Sequence, residues 1–109
     1  MKVRLFTIAL FSCCCWFTPA TLFAQTSAGA GLVANPVFHK SCAKCHGKTA
    51  EGRHFGGPSL ISDNAKAMSD DDLRNIISNG KGRMPKYASK LSSEEISTLV
   101  EQIKALNQK

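Results

Sequence analysis

The chain has 109 residues, a formal net charge of +6 at neutral pH, and 43% hydrophobic and 20% charged side chains. That length leaves room for one small domain. The basicity does not point to nucleic acid, because no arginine cluster with interleaved aromatics accompanies it.

The first stretch is a leader. Met1-Lys2-Val3-Arg4 is a short basic start, Leu5 to Phe17 is an apolar run, and Pro19 breaks it. Leu22-Phe23-Ala24 then offers a cleavage site before Gln25, which makes residues 1–24 a secretory signal peptide. Two alternatives stay open. Leu5–Ala24 could just span a bilayer as an uncleaved anchor. Leu10-Phe11-Ser12-Cys13 is a poor lipoprotein box, with a bulky Phe where small residues belong. All three place the domain outside the cytoplasm, in the periplasm or an equivalent exported compartment. Membrane association follows only if the leader is uncleaved or lipidated. Cleavage removes Cys13, Cys14 and Cys15, leaving Cys42 and Cys45. It also removes Lys2 and Arg4, so the basic count drops from 14 to 12 against 8 acidic, a mature charge of about +4.

Residues 25–33 are small, flexible and glycine-containing, a linker. Asn35-Pro36 then opens a helix, Asn as N-cap and Pro at the first position. The helix is expected to run from Pro36 to about Cys45 and end at Gly47. Gly47 to Gly57 is an irregular loop, and residues 61–68 can hold a short helical turn. Ser69, with Asp70, Asp71 and Asp72 behind it, caps a second helix whose apolar stripe is Leu73, Ile76 and Ile77. Asn79-Gly80 ends that helix, and Lys81 to Ala88 is a loop around Met84-Pro85. Ser92 and Glu95 form a capping box for the last helix. Its face is Ile96, Leu99, Val100, Ile103 and Leu106, a helical spacing. No strand signal is present, so the domain is all-α.

The chemistry sits in Cys42-Ala43-Lys44-Cys45-His46. On a helical turn, residues at i, i+3 and i+4 share a face. Two cysteines can therefore reach the two vinyl groups of one porphyrin, while His46 presents an imidazole to the iron, the attachment pattern of haem c. In an exported chain two such thiols could instead close a disulfide, but so tight a loop constrains little chain. A thioredoxin-like pair would need a preceding strand. A zinc site would need a second ligand pair, which His39 and His54 do not supply. The thin core argues separately for a cofactor. Phe38, Phe55 and Tyr87 are the only aromatics after the leader. Domains of this size rarely draw more than ~3–5 kcal/mol from protein packing alone.

Met84 is the leading candidate for the sixth iron position. It lies on a loop between Gly82-Arg83 and Pro85, where the chain can approach closely and then hold rigid. Met68, His54 and an open site are the alternatives. Met68 looks like packing, His54 like an exposed loop residue, and His39 like a rim residue. The Pro58 carbonyl, twelve residues after His46, is placed to accept the other imidazole N–H. Lys40, Lys44, Lys48, Lys81 and Lys86 flank these two segments and could steer acidic partners.

Cys42-x-x-Cys45-His46-Gly47, Gly57-Pro58-Ser59-Leu60, Gly82-Arg83-Met84-Pro85 and a closing amphipathic helix, in that order, resemble the class I monohaem c-type cytochromes. The resemblance covers about residues 34–106 and makes residues 34–109 a cytochrome c domain. It implies a small all-α haem-wrapping fold with crossing N- and C-terminal helices, and one covalent haem c with its iron. It implies axial ligation by His46 and Met84, with Pro58 behind His46. It further implies electron transfer through an exposed haem edge. The resulting expectation is a non-enzymatic carrier cycling between Fe(II) and Fe(III), with redox partners whose acidic surfaces suit the net basic charge and flanking lysines. The alternatives are an electron-transfer subunit of a larger dehydrogenase or oxidase, or a peroxidase or sensor with an open sixth site. Phe38 is expected to pack near Leu99, Val100 and Ile103. Many members carry a glycine eight residues before the first cysteine; Ala34 stands there, so a slightly wider helix crossing is expected.

Overall fold

The structure, a computed structural model, describes residues 31–108. The signal peptide assigned to residues 1–24, its anchor and lipoprotein alternatives, and linker residues 25–30 lie outside the described residues. A 3-10 turn at Leu32–Ala34 comes first. Five helices follow: α1 (Pro36–Ser41), α2 (Ala43–His46), α3 (Asp63–Ala67), α4 (Asp70–Asn79) and α5 (Ser93–Leu106). The one extended pairing among the described residues is an isolated bridge between Lys81 and Met84. The all-α expectation holds.

Local signals account for the helix starts. The Asn35 Oδ1 accepts the Val37 N–H at 2.9 Å, with Pro36 in the first helical position. Ser62 caps α3 through the Ala65 N–H. Ser69 and Ser92 both close full capping boxes. The two boxes differ in reach. Glu95 meets the Ser92 N–H at 2.8 Å. The shorter Asp72 lies 3.4 Å from the Ser69 N–H and makes its close bond, 2.7 Å, with the Ser69 hydroxyl.

Two boundaries depart from expectation. The helix expected over Pro36–Cys45 is interrupted at Cys42, whose φ of −118° departs from the helical value while its ψ of −41° stays helical. The Cys45 and His46 N–H groups converge on the Cys42 carbonyl at 3.1 and 3.0 Å, so α2 restarts from that residue. The linker expected through residue 33 also ends too late. Leu32 is fully buried in the core, so the packed domain begins before Ala34. Glycine-rich neighbours masked a residue that long-range packing claims.

The core is one cluster. Phe38, Leu32, Leu99 and Val100 are its largest fully buried side chains. Each such side chain contributes about 1.5–3 kcal/mol of transfer free energy. Phe38 shares that cluster with Leu99, Val100 and Ile103, as the resemblance implied. α5 lies against α4 and against the Leu32–Ala34 turn. At that end Asn35 Nδ2 donates to the buried Gln102 Oε1 at 2.7 Å, a contact with no counterpart in the sequence pattern. Lys104 Nζ donates to the Met68 carbonyl at 2.7 Å and closes the C-terminal end of α3.

Candidate haem cleft

α2 and the loop behind it hold His46 from several directions. The residue is 8% exposed. Its Nδ1 lies 2.8 Å from the Pro58 carbonyl oxygen. A carbonyl only accepts, so Nδ1 carries the proton and donates it, leaving the Nε2 lone pair free. That tautomer is the one a metal ligand needs. The backbone around it is tied down as well. Gly52 N–H donates to the His46 carbonyl and Gly57 N–H to the Cys45 carbonyl, both at 2.7 Å. A Cβ on Gly57 would sit 2.8 Å from His46 Cε1, so only glycine lets the chain pass this imidazole. Ala50 is fully buried at φ +66°, an unusual place for a residue with a side chain. Its carbonyl accepts the Leu60 N–H at 2.8 Å and carries the loop back toward the cleft. The sequence held no signal for that.

Cys42 and Cys45 are free thiols, the first half-buried and the second exposed. Burial pushes the Cys42 thiol up to about 11, and the nearby Cys45 adds to the shift. A sulfur that resists ionisation is stable inside an apolar cleft as a neutral group, which a thioether also is.

The Met84 segment reaches the cleft as a pinned loop. Gly80 has φ +75°, and a Cβ there would collide with the Met84 carbonyl. The Met84 N–H donates to the Lys81 carbonyl at 3.0 Å. Tyr87 and Ala88 N–H groups donate to the Ile77 and Ser78 carbonyls, each at 3.1 Å, which fastens the loop to the end of α4. The Tyr87 hydroxyl donates to the Ser41 carbonyl at 2.6 Å. Sequence reasoning counted Tyr87 only as an aromatic. Its place three residues after Met84 was the available signal.

These parts surround a cavity of about 580 Å³. Cys42, Cys45, His46, Pro58 and Met84 all line it, with Phe38, Leu73, Ile77 and Leu99 among its apolar walls. The volume is that of a small-molecule site, and the apolar lining with a few directed polar groups is the usual composition. Two thiols, one imidazole with a free Nε2 and one thioether are the donor set a covalent haem needs. The residues present fit that group. Met68 also lines the cavity. His54 does not. It is exposed, edge-on to the Phe55 ring at 4.6 Å, and with His39 borders a separate polar recess. His39 is exposed, its Nε2 donating to the Val33 carbonyl at 2.6 Å. Among the described residues no three His, Cys, Asp or Glu side chains gather as a metal site. The five lysines flanking the cleft segments are all exposed.

Known proteins are similar to this chain in sequence and fold. Cytochrome c-551 of Bacillus subtilis (strain 168) is 40% identical over 50 residues, which span 46% of this chain and 42% of that protein. This match thus takes in less than half of that relative's length. The solved structure of cytochrome c6C from Synechococcus sp. PCC 7002 is 30% identical with a TM-score of 0.57, covering 71% of this chain and 95% of the other. That of cytochrome cL from Hyphomicrobium denitrificans is 27% identical with a TM-score of 0.58, covering 71% and 47%.

Helices wrapped on one apolar cleft, with Cys-x-x-Cys-His in its lining, define a c-type cytochrome, an electron-transfer protein with covalent haem c and its iron. The chain belongs to the cytochrome family whose model is described as cytochrome c oxidase, cbb3-type, subunit III, which matches residues 18–103. Proteins of this class exchange electrons with redox partners and are typically exported. Among the described residues no helix is long and apolar enough to cross a membrane.

Proposed function

We propose that the chain is an exported monohaem electron carrier with closed His/Met ligation, and not itself an enzyme. Cys42 and Cys45 would carry the thioether links, His46 and Met84 the two axial bonds. Pro58 holds the His46 proton at Nδ1, fixing the ring and its ligand nitrogen. When bound, haem c supplies reversible one-electron exchange between Fe(II) and Fe(III). The protein's own contribution is burial, ligation and docking. Apolar walls from Phe38, Leu99 and Ile103 exclude water, and methionine ligation sets a relatively high potential among haem proteins. With both axial positions filled, no substrate need bind. The exposed lysines 40, 44, 48, 81 and 86 would favour redox partners with acidic docking surfaces.

The domain reading goes with this: residues 1–24 as a cleaved leader, a short linker, and a cytochrome domain delivered to the periplasm. One observation carries the ligation proposal: His46, whose Nδ1 is tied to Pro58, and Met84 line the same cavity. A peroxidase or sensor would want a distal acid–base group, and the one candidate, His54, borders the other recess.

The test is spectroscopic. The oxidised protein should show the weak methionine-to-iron charge-transfer band at the red edge of the visible spectrum. A high-spin ferric spectrum would sink the proposal. Met84→Ala should abolish that band and let cyanide bind fast. The intact mass reports leader removal and covalent haem in the same measurement.

A further inference from the structure

We propose that Tyr87 is a positioning residue for the methionine ligand, latching the Met84 loop to the end of α1, one residue before the first haem-bearing cysteine. This rests on the reading of Met84 as the sixth ligand.

The loop from Lys81 to Ala88 leaves α4 at Gly80 and must cross to the cleft. Its flanks are open. Lys81, Gly82, Arg83, Pro85 and Lys86 are exposed, and a Cβ on Gly82 would meet nothing within 4 Å. Backbone bonds from Tyr87 and Ala88 anchor its far end to α4, the element it came from. They hold the loop's base and leave its distance from α1 undetermined. The Tyr87 hydroxyl supplies that missing tie. It donates to the Ser41 carbonyl at 2.6 Å, across 46 residues of sequence. Ser41 is the residue before Cys42. The bond therefore spans from three residues beyond the methionine to one residue before the first thioether cysteine. Opening the cleft at the Met84 loop requires this bond to break or stretch. Its acceptor is a backbone carbonyl at the last position of α1, so the bond depends on Tyr87 and not on the side chain at position 41.

Two consequences differ from those of a tyrosine that merely fills space. Loss of the hydroxyl should speed departure of the methionine while the phenyl ring keeps the packing. The effect should vanish once Met84 is gone. Imidazole binding to the ferric holoprotein reads both, because the incoming ligand waits for the methionine to leave. Tyr87→Phe should accelerate imidazole binding roughly three- to tenfold, the change that one hydrogen bond's net worth produces. Covalent haem content should not change. Ser41→Ala, which keeps the carbonyl, should bind at the parent rate. Tyr87→Phe added to Met84→Ala should give no further acceleration. A parent rate in Tyr87→Phe overturns the latch, and so does acceleration that persists in the Met84→Ala background. Met84→Ala binding imidazole no faster than the parent would instead overturn the ligand reading beneath it. Should Tyr87→Phe fail to fold, the unmutated protein answers by proton NMR. A slowly exchanging Tyr87 hydroxyl resonance with a cross-peak to Ser41 supports the latch, and a hydroxyl averaged with water removes it.

Discussion

Asn35 donates from its side-chain amide to the Gln102 Oε1 at 2.7 Å, a buried bond between residues 67 apart in sequence. The same Asn35 accepts the Val37 N–H through Oδ1. One side chain therefore starts α1 and ties it to α5.

Asn35 variants should separate those two roles. Asn35→Ser keeps a capping oxygen but is too short for Gln102, and should cost about 1–3 kcal/mol for the lost buried bond. Asn35→Ala should cost about 1 kcal/mol more, the worth of the cap. Gln102→Leu combined with Asn35→Ser should be less destabilising than the sum of the singles. Denaturant midpoints measure all three.

Gly57→Ala places a methyl 2.8 Å from His46 Cε1. The ring must then leave its bond to Pro58 or the loop must shift, at about 1–3 kcal/mol. The expected outcome is a lower haem-to-protein ratio and a ferric spectrum that becomes mixed or high-spin. An unchanged spectrum and melting temperature would show that the loop yields freely.

The helix caps should rank by reach. Glu95 approaches its backbone N–H at 2.8 Å and Asp72 only at 3.4 Å. Glu95→Ala should therefore destabilise more than Asp72→Ala. Ser92→Ala and Ser69→Ala should each cost about 1 kcal/mol. Thermal unfolding of the four variants checks the order.

Tyr87 gives a pH dependence. Burial first, then the charges of Cys42 and Cys45, raise its phenol above the ordinary value of 10.0. A raised acid contributes its stability fully below the unfolded value and loses it as pH rises through the folded value. Stability should thus be insensitive to this group below about pH 10 and decline above it. Thioether formation removes the two sulfur charges and leaves burial as the cause. Tyr87→Phe should flatten the alkaline decline in unfolding experiments; an equally steep decline would point to another group.

Raising ionic strength should slow reduction by an acidic partner, because the five flanking lysines are solvent-exposed and screened by salt. Replacing Lys44 and Lys48 by Gln should lower the salt slope without moving the midpoint of thermal unfolding.

The sequence alone determined whatever depends on near neighbours. The starts of α1, α4 and α5 were legible because a cap is a contact between residues two or three apart, as at Asn35, Ser69 and Ser92. The haem motif was legible because its three side chains share one helical turn, and the face of α5 because its period is helical. The tertiary structure decided what depends on distant ones. Leu32 is core and not linker because the closing helix packs over it. Cys42 interrupts the first helix, and Ala50 takes a left-handed backbone, because the loops around His46 must close. The Asn35–Gln102 and Tyr87–Ser41 bonds join segments 67 and 46 residues apart, and no local pattern encodes such a pairing. Only the folded chain places Cys42, Cys45, His46, Pro58 and Met84 around one cavity, since closing loops of that length is the work of the whole core.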